Sequence, residues 1–268
     1  MKIIDAHLHF DRESYFNEVA RAAGHENSAA HLEKCYAELE IERGIVMSNR
    51  TLEPSELQYP KFLSYCIGLD NSTWAPDDWK RNLRLIEENL RRKECVGLKL
   101  YPGYLHFYVS DDALAPLYRL AAKYDKPVAV HTGLTAMSRA LLKYSHPLVL
   151  DEAAAKFPNV RFVMCHLGEP WICDAAAVLM KNPNVAADLS GILEKKIPDM
   201  EKFLVRKKFY VEQLRGWLEL VGDYSRIMFG TDWPLANLGN YIEFVKAFIP
   251  EDQWDQVFYR SAKTIYRI

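Results

Sequence analysis

The chain has 268 residues, a formal net charge of −2 at pH 7 and 49% hydrophobic residues, a composition that supports a large buried core and argues against disorder. It has no basic block, which argues against nucleic acid as a partner, and no apolar run near the ~20 residues that a membrane-spanning helix needs. Five cysteines, none in a Cys-x-x-Cys pair, predict a reduced, cytoplasmic protein.

Short apolar runs predict the strands. In chain order they are residues 2–10, 44–49, 62–70, 95–102, 127–133, 161–168, 184–191 and 226–234. Several are rich in Val, Ile and Leu throughout, as expected of parallel strands buried on both faces. Helical spacing of apolar residues predicts helices at 77–93, 112–127, 147–158, 171–183, 241–249 and 253–266. Pro116 is unfavourable inside a helix, so the second of these is expected to begin one turn before it.

The alternation of strands and helices predicts an α/β fold, a (β/α)₈ TIM barrel that forms a single domain over residues 1–268. A doubly wound open sheet is the alternative, because alternation alone does not show that the sheet closes. Two longer segments, 11–30 and 191–215, lack a clear pattern and are predicted to be irregular loops after the first and seventh strands. In a barrel, such loops surround the active site.

Polar side chains recur at the carboxyl ends of the predicted strands. In the first strand Asp5, His7 and His9 occupy alternate positions, which a regular strand places on one face. The strand-end residues are His7, His9, Lys99, His131, His166 and Asp232. In a barrel these ends converge, and imidazoles with a carboxylate form the divalent-metal site that zinc favours. One such residue alone is typical of a hydrogen-bonded core side chain, but their joint placement predicts a metal site.

The motifs that contain these residues resemble, in order, those of the amidohydrolase superfamily. They are DAHLHF, GLKLYP, VHTG, CHLGEP and FGTDWP, and they run from residue 3 to about residue 236. The resemblance is to amidohydrolase family 2, the aminocarboxymuconate-semialdehyde decarboxylase-like group. It implies a distorted barrel and one or two divalent metal ions, usually zinc. By this resemblance His7, His9, His131 and Asp232 would be ligands of a single metal ion, and His166 would be a further ligand or a catalytic acid/base.

The resemblance leaves two roles open for Lys99, at the end of the fourth strand. In binuclear relatives a lysine at this place is carboxylated and bridges two metal ions. An unmodified Lys99 that pairs with substrate or with Asp232 fits the sequence equally well.

The chemistry that the resemblance implies is metal-dependent hydrolysis of an ester, lactone or amide of a small molecule. Asp232 would accept the proton of the attacking water and pass it to the leaving group, while His166 would stabilise the oxyanion or share the proton transfer. Metal-dependent decarboxylases and hydratases of the same family are the alternative, and they need a cation to hold a carboxylate substrate. Arg50 and Arg139, after the second and fifth strands, are candidates for that role.

The walls of a substrate pocket are predicted from aromatic residues beside the motifs. They are Tyr101, Tyr104, Trp171 and Trp233. Glu169 stands where the family often has a small residue, so the pocket shape and the substrate stay open.

Two other functional classes are less consistent with the sequence. A metal-binding protein without catalysis would not need the aspartate beside the histidines, and no cysteine lies near a second cysteine as in metal-storage clusters. A metal-dependent nuclease would need a basic surface for the phosphate backbone. A homodimer fits the family, but the sequence identifies no interface.

Overall fold

A computed structural model describes residues 1–11, 13–69 and 78–268. Within them, eight strands form one parallel sheet whose spatial order follows the chain. The strands are β1 (Ile3–Leu8), β2 (Ile41–Met47), β3 (Leu63–Leu69), β4 (Cys95–Leu100), β5 (Val128–Val130), β6 (Phe162–Met164), β7 (Val185–Asp188) and β8 (Ile227–Met228). All eight predicted strands are confirmed. The end of the third predicted strand, residue 70, lies outside the described residues.

The helices follow the strands around the outside of the sheet. They are α1 (Ser14–Ala22), α2 (Ala29–Glu38), α3 (Trp79–Leu90), α4 (Ala115–Lys123), α5 (Val149–Lys156), α6 (Ile172–Lys181), α7 (Met200–Arg206), α8 (Lys208–Val221), α9 (Leu238–Lys246) and α10 (Ser261–Tyr266). Pro116 lies in the first turn of α4, where its missing N–H costs no hydrogen bond. Residue 77, the start of the first predicted helix, lies outside the described residues. Across the described ranges, no helix is both long enough and apolar enough to cross a bilayer.

The prediction of irregular loops at 11–30 and 191–215 was wrong, because both segments contain helices. In α1, Phe16 and Val19 are partly buried and Ala20 is buried, at spacings of three and four residues from Phe16, a helical signal that was missed. The same signal was missed in α8, where Val211, Leu214 and Leu218 are buried at spacings of three and four residues.

The sheet closes into a barrel through the segment that follows β8. The Phe229 carbonyl accepts a hydrogen bond from Ala6 N at 3.0 Å, and the His7 carbonyl accepts from Thr231 N and Asp232 N at 3.2 and 2.8 Å. Because β8 has only two residues, this seam is irregular. The predicted distorted (β/α)₈ barrel is therefore confirmed, and the open doubly wound sheet is excluded.

Two apolar clusters fill the fold. The larger lies between the sheet and the surrounding helices. The smaller draws one or more residues from every strand, including Ile45, Val96 and Met228, and ends on Ile265 and Tyr266 of α10. It therefore fills the barrel interior, so that the opening at the carboxyl ends of the strands is left for polar side chains.

Gly68 in β3 allows close contact with the backbone that follows β2. A methyl group at this position would lie 1.5 Å from the Ser48 carbonyl oxygen. Gly68→Ala is therefore expected to lower the free energy of unfolding by about 3 kcal/mol or more, measured from urea denaturation midpoints. Gly216→Ala is the matched control: no atom lies within 4 Å of a methyl group placed there, and alanine in the interior of α8 is expected to stabilise by about 1 kcal/mol. Equal midpoints for the two variants would contradict the proposed close packing.

Candidate metal centre

Three of the predicted ligands meet at the seam of the barrel. His7 lies in β1, His9 follows β1, and Asp232 follows β8, with its backbone amide bonded to the His7 carbonyl. Asp232 Oδ1 lies 3.2 Å from His9 Nε2 and 3.5 Å from His7 Nε2. The seam that closes the barrel thus also brings these ligand atoms together.

The unsatisfied atoms of this group fit a divalent cation. His7 Nε2 and Asp232 Oδ1 are buried and have no hydrogen-bond partner among the described residues. Leaving such polar atoms unsatisfied costs roughly 1–3 kcal/mol each, so the arrangement calls for an additional partner. Two imidazole nitrogens and a carboxylate oxygen are donors that Zn²⁺ accepts, and related mixed sets hold other transition metals.

The tautomers of His131 and His166 also indicate a site for a cation. His131 Nε2 lies 3.0 Å from the Leu134 carbonyl, and His166 Nδ1 lies 3.1 Å from the Ser190 carbonyl, so both nitrogens must carry protons and donate. The remaining nitrogens, His131 Nδ1 and His166 Nε2, then present lone pairs to each other at 3.1 Å. Two lone pairs at this distance repel unless a cation, either a proton or a metal ion, lies between them.

The electrostatics favour metal binding by the same residues. Burial lowers the pKa of His7 to about 4, and burial likewise lowers the pKa of His131 and of His166, so these rings are neutral at pH 7. Burial opposes ionisation of Asp232, but its contacts with His9 and the other histidines hold the pKa of this carboxyl well below its usual range. Neutral imidazoles and an ionised carboxylate are the protonation states that ligands need.

Asp188, at the end of β7, orients the centre and was missed in the sequence. Its Oδ2 accepts a hydrogen bond from His7 Nδ1 at 2.9 Å, so that His7 Nε2 faces Asp232. Its Oδ1 accepts from His166 N at 3.0 Å and from Ser190 Oγ at 2.5 Å. Although burial alone would raise the pKa of Asp188, contact with His7 holds it below its usual value. The sequence did contain a signal for Asp188, because this aspartate ends an otherwise apolar strand, as the predicted ligands do.

Asp5 does not join the centre, contrary to the expectation of one polar face for Asp5, His7 and His9. Its Oδ2 accepts hydrogen bonds from Thr231 Oγ1 at 2.6 Å and from Tyr36 of α2 at 3.0 Å. The pairing of β1 with β2 shifts register between Asp5 and Leu8, which breaks the strict alternation. Burial raises the pKa of Asp5 to about 7, partly offset by these hydrogen bonds.

Lys99 is fully buried beside the centre. Its Nζ donates to Cys165 Sγ at 2.9 Å and lies 5.1 Å from the centroid of the Tyr101 ring. Among the described residues, Lys99 does not form the pair with Asp232 that the sequence allowed. Carboxylation of Lys99 and a second metal ion at this position stay predictions.

A glycine lets the loop after β7 pack closely against the centre. Gly191 has a φ of +68°, and a methyl group there would lie 2.8 Å from His166 Nδ1 and 2.9 Å from Asp232 Oδ2. The loop after β7 can therefore approach both side chains only because position 191 has no side chain.

A cavity of about 360 Å³ lies beside the predicted ligand His9. Its walls are His9, Phe10, Asp11, Val46, Met47, Ser48, Asn49, Arg50, Thr51, Glu56, Leu57, Gln58 and Tyr59. Arg50, a predicted substrate residue, therefore lines it, but its guanidinium is ion-paired with Asp11 and, at 2.6 Å, with Glu13. The positive charge of Arg50 is thus already balanced.

The predicted aromatic residues have other partners. The Tyr101 hydroxyl donates to the Met47 carbonyl at 3.0 Å, which ties the end of β4 to β2. The Trp171 ring packs on His146, with centroids 4.7 Å apart, and the Tyr104 ring packs on His131 at 4.9 Å. Trp233 is buried against His25. Arg139, the other candidate for holding a carboxylate substrate, is exposed. Tyr104 thus packs on a predicted histidine ligand, and the Tyr101 ring lies near Lys99.

Comparisons with known proteins identify the family of the chain. A family model described as Amidohydrolase (Amidohydro_2) matches residues 4–268. Protein fluG of Emericella nidulans is 25% identical over 190 residues, which are 70% of this chain and 20% of that protein. L-fucono-1,5-lactonase of Burkholderia ambifaria is 27% identical over 148 residues, 48% of this chain and 49% of that protein. The chain therefore spans between a fifth and about half of the length of these curated relatives.

Solved structures share the fold. An uncharacterised TIM-barrel protein, Bb4693 of Bordetella bronchiseptica, superposes with a TM-score of 0.73 at 19% identity, covering 100% of this chain and 99% of that one. A 5-carboxyvanillate decarboxylase of Novosphingobium aromaticivorans, complexed with manganese and a nitrobenzoic acid, gives a TM-score of 0.64 at 13% identity, covering 100% and 96%. At these identities the likeness establishes the barrel alone.

Proposed function

The chain belongs to the amidohydrolase family, and from this membership and the geometry of the centre we propose that it is a metal-dependent hydrolase of a small-molecule ester, lactone or amide. The observation that supports it most is the set of inward-facing lone pairs on His7, His131 and His166 beside the Asp232 carboxylate. A divalent cation supplies Lewis acidity at such a site: it polarises a carbonyl oxygen and makes a water molecule more acidic.

The side chains of the centre would divide the remaining work. His7, His9, His131 and Asp232 would hold the cation, with His166 as a further ligand or as an acid/base. Asp232 is ionised at neutral pH, so its carboxylate would accept the proton of the attacking water and return it to the leaving group. Asp188 would keep His7 Nδ1 protonated and thereby hold its Nε2 in the acceptor state.

The cavity beside His9 favours hydrolysis over decarboxylation. A decarboxylase must attract a carboxylate substrate, whereas this cavity contains Asp11 and Glu56, and Arg50 is already ion-paired. A neutral substrate such as a lactone avoids that repulsion. The similarity to L-fucono-1,5-lactonase supports the same class of substrate.

A metal-dependent decarboxylase is the second candidate function. Arg50 lines the cavity and would serve as a carboxylate clamp if a substrate displaced Asp11 or Glu13. The barrel shared with 5-carboxyvanillate decarboxylase is consistent with this chemistry. Assays of purified protein on lactone, ester and carboxylated aromatic panels distinguish the two: release of acid supports the hydrolase, and release of CO₂ supports the lyase.

Removal of metal is expected to abolish turnover of whichever substrate is found. After dialysis against a chelator, activity should disappear, and added Zn²⁺ or Mn²⁺ should restore it. Elemental analysis before and after dialysis identifies the native ion and its stoichiometry, and a mock-dialysed sample is the control. Full activity in protein shown to be metal-free would contradict the proposal.

A further inference from the structure

A second group of metal-binding side chains lies outside the centre. We infer that His25, His31 and Cys35 form a separate site for a thiophilic divalent cation such as Zn²⁺. His25 Nδ1 lies 3.0 Å from His31 Nε2, and His31 Nε2 lies 3.4 Å from Cys35 Sγ. The three ligand atoms all lie within 4.8 Å of one another.

Local structure brings these donors together. His31 and Cys35 are four residues apart on α2, so they share one face of that helix. Ser28 caps α2 by accepting a hydrogen bond from His31 N at 3.2 Å, which holds the turn that carries His31. His25 lies in the preceding loop, where its backbone N–H donates to the Ala20 carbonyl at 2.8 Å. The spacing His-x₅-His-x₃-Cys thus places three potential ligand atoms of one short segment close together.

The distances suit zinc with little rearrangement. Zinc binds nitrogen at about 2.0–2.1 Å and thiolate sulfur at about 2.3 Å in a tetrahedron, which separates the ligand atoms by roughly 3.3–3.6 Å. The observed distances of 3.0 Å for His25–His31 and 3.4 Å for His31–Cys35 are slightly shorter, so these two pairs need to move apart by only a few tenths of an ångström. Thiolate with imidazole selects zinc or copper over magnesium and calcium.

The three side chains are accessible to solvent on one side. All three residues are partly buried, so an ion can reach them from solvent. The Trp233 ring packs against the other side, with its centroid 4.5 Å from that of His25 and 6.1 Å from that of His31. Burial lowers the pKa of His25 to about 4, with the nearby cation Lys196 acting in the same direction, so this ring is neutral at pH 7.

Without metal, the group forms a hydrogen-bonded chain. His25 Nε2 accepts a hydrogen bond from Leu238 N at 3.2 Å, so the ring proton is on Nδ1 and is donated to His31 Nε2. Metal binding moves the His25 proton to Nε2 and releases the Cys35 thiol proton to solvent, one proton per ion. The Leu238 N–H, in the first turn of α9, then needs another acceptor. Two N–H···N hydrogen bonds and the contact of Cys35 Sγ with His31 Nε2 are thus exchanged for three metal–ligand bonds.

A cobalt titration of the full chain tests this site. Co²⁺ bound by a thiolate gives a charge-transfer absorption in the near ultraviolet, which we expect in the wild-type protein and in Cys173→Ala, whose cysteine is exposed and remote in sequence. The band and one equivalent of metal should be lost in Cys35→Ala and in His31→Gln, with turnover retained. The band should persist in His7→Ala, because buried Cys165, which lies near His7, is not its source.

Failure of this proposal can be distinguished from failure of the proposed function. The second site is tested by the cobalt absorption band, whereas the catalytic proposal is tested by turnover. Absence of the band in wild-type protein would overturn the second site without reference to any variant. Retention of the band and of full stoichiometry in both folded variants, checked by circular dichroism, would also overturn it. Loss confined to Cys35→Ala and His31→Gln would support it.

Discussion

Replacement of His7 by alanine is expected to remove nearly all metal from the centre at the barrel seam. The substitution deletes a buried nitrogen that faces Asp232 and has no other partner among the described residues. Loss of a residue that hydrogen-bonds to a metal ligand typically lowers metal affinity 10–100-fold, and loss of the ligand itself lowers it more. Asp188→Asn, which removes the acceptor of His7 Nδ1, is expected to fall in that smaller range.

The measurement is metal stoichiometry after extensive dialysis. It is best made in a Cys35→Ala background, so that the proposed second site does not contribute. His106→Ala is the matched control, since His106 is exposed and packs on Tyr144 away from the centre. Near-full occupancy in His7→Ala would contradict the assignment of His7 as a ligand.

Asp232→Asn is expected to lower kcat/KM by roughly 10²–10⁴-fold, the usual contribution of a positioned proton acceptor, with little change in folding stability. Its Oδ1 has no hydrogen-bond partner among the described residues, so a neutral side chain of the same shape loses no protein hydrogen bond at that atom.

Turnover and the urea midpoint should be measured on the same preparation. Asp5→Asn is the contrasting variant, because the Asp5 carboxylate accepts hydrogen bonds from Thr231 and Tyr36 and is expected to support folding. A loss of stability in Asp232→Asn as large as its loss of activity would instead indicate a structural role for Asp232.

The barrel was predictable because its strands are short, apolar and separated by periodic segments. Closure was not, since the seam depends on β8, which has two residues, and on backbone contacts of Thr231 and Asp232. Helix α1 could have been predicted, because Phe16, Val19 and Ala20 recur at helical spacing, although Ala20 is the one residue of the helix that is fully buried.

The candidate site was predictable to the extent that its residues end strands. His7, His9 and Asp232 met this criterion and lie together. Asp188 met it too, but no histidine stands beside it in the sequence to mark it as part of a metal site. The neutralisation of Arg50 by Asp11 and Glu13 could not be foreseen, since it depends on how two loops from different strands meet.

The seam has a consequence for the order of events during synthesis. Asp5 and Thr231, whose side chains bond across it, are 226 positions apart. The strand that carries His7 is therefore synthesised well before the segment that carries Asp232. A nascent polypeptide cannot assemble this centre until all eight strands of the barrel have been synthesised, so the proposed metal ion would bind only after the barrel has closed.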